Sequence, residues 1–142
     1  MNTTSILVAL AYDDFISPNE AQRRMRNFIQ CVKQFRRIKG LPVLKYIATT
    51  KADNGGHIYH NVVMNGGVDI SDLAKLWGKG FIKVERLQID GTNIIYIARY
   101  LTREQNIGRW CASKNLGGSN KRRSIESALE GFVPGGVVRV RM

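Results

Sequence analysis

A chain of 142 residues with 44% hydrophobic content is long enough for one domain with an ordinary core. Twenty-two Lys and Arg against eleven Asp and Glu leave a net charge of +11, which selects polyanionic partners, DNA or RNA before an acidic membrane surface. No apolar run reaches membrane-spanning length and no basic-then-apolar leader opens the chain, so neither a spanning protein nor a secreted one is expected.

The two cysteines, Cys31 and Cys111, make neither a disulfide framework nor a metal spacing. They are expected as small buried residues in a reducing cytosol. Ser5 to Tyr12 is a short apolar run that reads as a buried strand, ended by Asp13-Asp14. Ser17-Pro-Asn-Glu20 is a helix start, with Ser as N-cap, Pro at the first helical position and Glu placed for a capping box. The helix is expected to run to about Lys39 and stop at Gly40. Ala21, Met25, Phe28, Val32 and Phe35 form its apolar stripe, and Arg23, Arg24, Arg26, Lys33, Arg36, Arg37 and Lys39 take other faces.

Val43 to Thr50 reads as a second strand and His57 to Met64 as a third. The turn Lys51–Gly56 joins them into a hairpin. Asp69 is placed to cap a short helix through Leu73, Leu76 and Trp77, closed by Gly78. Phe81 to Gln88 alternates as a fourth strand. Asp90-Gly91 is a turn, and Thr92 is placed to cap a helix that carries two tyrosines. Trp110 to Ser113 reads as a fifth strand, Ser124 to Leu129 as a helical turn, and Val137 to Arg141 as a short edge strand. This order implies a single α+β domain with a mainly antiparallel sheet and helices packed on it.

Tyr96 and Tyr100 stand one helical turn apart, and Arg103 follows beside Tyr100. Packing would explain such a stripe. So would chemistry, because a tyrosine hydroxyl beside a cation can attack a phosphodiester and stay attached to the cut end. A free phenol titrates near 10 and needs such activation.

Several fragments, in order, carry a family likeness: Leu7–Tyr12, Phe28-Ile29, Arg36–Pro42, Leu44–Ile47, Val62–Gly67, Leu76–Gly80, Ala98–Thr102, Arg109-Trp110 and Ser113–Leu116. Through them the chain resembles rolling-circle replication initiators of small phages and plasmids. These belong to an endonuclease superfamily named for a His-hydrophobic-His metal motif. The resemblance implies an RNA-recognition-like sheet with a metal site on a middle strand, within a nicking domain over residues 1–116. Residues 117–142 would be a basic, partly mobile C-terminal segment.

The resemblance also implies Tyr100 as nucleophile, with Arg103 where the family has lysine, and a 5′-phosphotyrosyl intermediate on single-stranded origin DNA. The cofactor would be divalent, Mg or Mn. A host helicase and polymerase would be partners by analogy, and the host cytoplasm would be the location. Arg36, Arg37, Lys121, Arg122 and Arg123 are the candidate nucleic-acid contacts.

The metal motif departs from the family. Tyr59 and Asn61 stand where the two histidines are usual, and Lys51 stands where an acidic residue is usual. The metal ligands would be His57 and His60, which are three apart and point to opposite faces of a regular strand. A bulge after Gly55-Gly56 would let them share an ion. A second route is a poorer site of His57, Tyr59 and Asn61 on one face, and Asp13, Asp14 or Asp53 would substitute for the acid absent at Lys51.

Tyr46, Trp77 and Trp110 are candidates for base stacking or for the core. Two other function classes fit the same residues. One is a non-catalytic nucleic-acid-binding domain with a degenerate metal site. The other is a basic structural protein of a particle.

Overall fold

The computed structural model describes residues 4–103, 107–116 and 124–133. The elements in order are β1 (Ser5–Ala11), α1 (Pro18–Ile38), β2 (Tyr46–Ala52), β3 (Ile58–Asn65), α2 (Ile70–Trp77), β4 (Ile82–Leu87), α3 (Ile94–Thr102), β5 (Cys111–Ala112), a 3-10 turn (Lys114–Leu116) and α4 (Ile125–Glu130). The fold is α+β, and every pairing in the sheet is antiparallel. Strand order is β4-β1-β3-β2-β5. The run β1-α1-β2-β3-α2-β4 with inner order 4-1-3-2 is the split βαβ arrangement shared by ferredoxin-like and RNA-recognition sheets.

Two apolar clusters flank the sheet. One joins Val8, Leu10, Val62 and Met64 to Met25, Phe28, Val32, Leu73 and Trp77, so α1 and α2 lie on this face. The other joins Ile47 and Val63 to Ile94, Ile97, Leu101, Ile125 and Leu129, so α3 and α4 lie on the opposite face. RNA-recognition sheets expose the second face to their ligand. Here the tyrosine helix is laid across it.

The local signals explain most of this. The expected stripe of α1 is buried at Ala21, Met25, Phe28 and Val32. Ser17 Oγ accepts the Glu20 backbone N–H at 3.2 Å. The capping box stays half made, because the Glu20 carboxylate is held by Arg23 and Arg24 instead. Those two guanidinium contacts, Arg23 first, pull the Glu20 carboxyl down to about 2.

α3 begins one residue later than expected, with Asn93 at the cap position and no side-chain cap bond. β2 starts at Tyr46 rather than Val43, and Val43 is exposed on the loop before it. Both cysteines are exposed, not buried. Cys31 falls at the flank of the α1 stripe, and Cys111 sits on a two-residue strand at the edge of the sheet. The expected edge strand over 137–141 lies outside the described residues.

Candidate functional site

The register decides the fate of the histidines. β3 pairs residue for residue with β1 from Tyr59↔Ala11 to Asn65↔Ser5, and with β2 from Ile58↔Ala52 to Met64↔Tyr46. There is no bulge, so alternation is intact. Val63 faces α3, and therefore Tyr59 and Asn61 do too. His60 faces α1 and α2.

His60 is fully buried there. Its Nε2 meets the Tyr12 hydroxyl at 2.6 Å, and its Nδ1 meets Thr50 Oγ1 at 2.9 Å. The rings of Tyr12 and Trp77 pack against it edge-on. Both ring nitrogens are thus engaged within the core. His57 lies just before β3, in the turn. Its Nδ1 is 3.3 Å from Asp53 Oδ1, and its ring stacks on Phe15 with centroids 4.6 Å apart.

The structure therefore does not bring His57 and His60 together as the expected metal pair: His60 is a core residue held through both ring nitrogens, and His57 lies in the turn before β3. Among the described residues no three His, Cys, Asp or Glu side chains converge. His60, with both ring nitrogens taken, does not fit as a ligand to the ion that the resemblance implies.

Burial holds the His60 imidazole down, to about 4 from an ordinary 6.5. The folded value lies below the unfolded one, so this contribution to stability is complete above about pH 6.5 and is lost as pH falls toward 4. The full swing is about 3 kcal/mol. Denaturant midpoints should fall across that window. The diagnostic part is its upper end, because Glu20, Asp53 and Asp90 are held below ordinary carboxylate values and add their losses at lower pH. His60→Gln should flatten the slope there. An unchanged slope in that variant would show that His60 stays solvated.

The tyrosine face is open. α3 buries Ile94, Ile97, Ala98 and Leu101. Tyr96 is 72% exposed and Tyr100 37%. The Arg103 guanidinium carbon lies 4.7 Å from the Tyr100 ring centroid, over the ring rather than at its hydroxyl. Such a cation–π contact orients both groups. The sheet beneath α3 presents Tyr59 and Asn61 on β3, with Lys51 and Thr49 opposite them on β2. Lys51 is buried on this face.

The remaining candidates divide. Arg37 is exposed near the end of α1. Arg36 is buried and donates from Nε to Pro42 O at 2.7 Å and from Nη1 to Gly66 O at 2.9 Å. It is a brace between α1, the following loop and the end of β3, not a phosphate contact. Burial drives its pKa down.

Lys121, Arg122 and Arg123 lie outside the described residues. Trp77 belongs to the core and donates from Nε1 to Ala11 O at 3.0 Å. Tyr46 and Trp110 are partly buried against the two clusters. Phe81, expected as the first residue of the fourth strand, precedes β4 and is exposed; Phe15, which no expected element included, is an exposed aromatic at the same end of the sheet.

Comparison with protein-family models, with curated proteins and with solved structures finds no match to this chain. The topology itself hosts many unrelated activities, so function must be argued from the site. No helix among the described residues is long and apolar enough to cross a membrane.

Proposed function

We propose that this chain binds single-stranded DNA and nicks it by attack of Tyr100, the opening step of rolling-circle replication. One observation carries the reading. A helix laid on the usual ligand face of an RNA-recognition-like sheet offers an accessible phenol with a guanidinium stacked on it. The Tyr100 oxygen attacks phosphorus and gives up its proton. The P–O3′ bond breaks, and the 3′ oxygen leaves and is protonated. The chain then holds a 5′-phosphotyrosyl link, and the free 3′-hydroxyl can prime synthesis.

Arg103 is suited to hold the phosphate oxygens, since a guanidinium presents a planar fork to them. A divalent ion, Mg or Mn, belongs to this reading only through ligands other than His60. A host helicase and polymerase would complete replication.

The test is denaturing electrophoresis of the chain with labelled single strands of its own replicon, with Mg, Mn or chelator. A covalent protein–DNA band supports the proposal. Tight binding without a band under every condition, with the origin strand present, sinks it.

A second reading is favoured by the locked His60: a non-catalytic nucleic-acid-binding domain that keeps the fold without the metal pair. Both readings expect affinity to fall with salt. Arg37→Gln should reduce the slope of log K against log salt by about 0.7 if Arg37 neutralises one phosphate of a single strand. An unaltered slope would take Arg37 off the DNA.

A further inference from the structure

Between Glu20 and Asp53 the chain carries no Asp or Glu, and nine Lys or Arg. This stretch is α1, the following loop and β2. Gln30, Lys33, Gln34 and Arg37 recur at helical spacing and form an exposed stripe on the last turns of α1. The loop folds back beside that stripe. Gly40 takes φ 69°, a left-handed conformation that suits glycine. Leu41 N–H donates to Arg36 O at 2.9 Å, and Arg36 Nε holds Pro42 O.

Between stripe and loop lies a recess of about 480 Å³. Its polar lining is amide and cation only, and Leu41 and Val43 supply an apolar side. Val43 is 74% exposed. Arg36 also borders the recess, and its buried Nη2 has no hydrogen-bond partner among the described residues. Buried donors are rarely left so.

We infer that this recess is a second nucleic-acid site, one that takes a single nucleotide. Lys33 and Arg37 would hold the phosphate. The Gln30 and Gln34 amides, each both donor and acceptor, would meet the base edge over the apolar side. α1 packs on the sheet face opposite α3, so this site is separate from Tyr100 and does not depend on nicking. The ligand is either a free mononucleotide or one residue of a strand.

Amide NMR titrations of the full chain with dAMP, with inorganic phosphate and with a short single-stranded oligonucleotide test it. Saturable shifts within residues 30–44 are expected with dAMP or the oligonucleotide, confined there for dAMP and joined by shifts around Tyr100 for the oligonucleotide. A response to dAMP assigns the free nucleotide, and a response to the oligonucleotide alone assigns the strand. Lys33→Gln with Arg37→Gln should weaken binding about tenfold, the loss of two charge-assisted contacts partly offset by solvent.

Gln30→Ala with Gln34→Ala should weaken dAMP or the oligonucleotide but not phosphate. All four positions are exposed, so these variants should keep the wild-type melting curve. Tyr100→Phe should leave the titration unchanged. Equal responses to phosphate and nucleotide, with no effect of the glutamine changes, would reduce the recess to a general anion patch and overturn the proposal. So would the absence of localised shifts with any of the three probes.

Discussion

Replacing Tyr100 with phenylalanine is expected to abolish the covalent protein–DNA band while leaving single-strand binding nearly intact. The hydroxyl is the only atom removed, and in the proposed reaction it is the nucleophile. Loss of a nucleophile costs roughly 10⁴-fold or more in rate, which takes the adduct below detection. The same hydroxyl as a mere binding contact is worth about 1 kcal/mol, or about fivefold in affinity. The two outcomes therefore differ by orders of magnitude, and the assay separates them without ambiguity. Tyr96→Phe is the internal control. Tyr96 is the more exposed of the pair, and Arg103 stacks on Tyr100. If the band survives in Tyr100→Phe and vanishes in Tyr96→Phe, the nucleophile is Tyr96.

The second large effect falls on stability. Arg36→Met should destabilise the fold by about 3 kcal/mol. The substitution strips Pro42 O and Gly66 O of a charged donor, and it removes the longer contact to Asn65 O at 3.3 Å as well. Each buried polar group left unsatisfied costs about 1–3 kcal/mol, and relief from burying the charge offsets part of the sum. Arg37→Met, one residue on and exposed, should change stability by no more than about 0.5 kcal/mol. Urea unfolding of the two variants side by side gives the comparison. Equal stability would mean that Arg36 reaches solvent and returns it to the nucleic-acid contacts.

These neighbours show where sequence reading stops. Arg36 and Arg37 look alike in a basic run. Their difference arises because the loop after α1 turns back under one of them and offers carbonyls. Those acceptors come from Pro42, Asn65 and Gly66, and two of the three are about thirty residues away along the chain. No local pattern encodes that meeting.

The histidines teach the same lesson from the other side. Their spacing of three already placed them on opposite faces, because strand alternation is a local property. A bulge would have changed that, and only the unbroken pairing with β1 and β2 excludes it. Likewise, the exposure of Cys31 depends on how far the cover over α1 extends, which its sequence position beside the stripe does not reveal.

What the sequence by itself determined is local and additive. The Ser17 cap, the α1 stripe, the strand alternation, the hairpin turn, the α+β order and the positive charge each follow from a few neighbouring residues or from a sum over all of them. Tertiary structure alone decided which sheet face each helix covers, that His60 is sealed between Tyr12 and Thr50, that Arg36 is a brace, and that Tyr100 stays open beside Arg103. The physical reason is that burial and hydrogen-bond partnership are set by segments distant in the chain. Those segments choose between two faces that the alternation of a strand leaves equivalent.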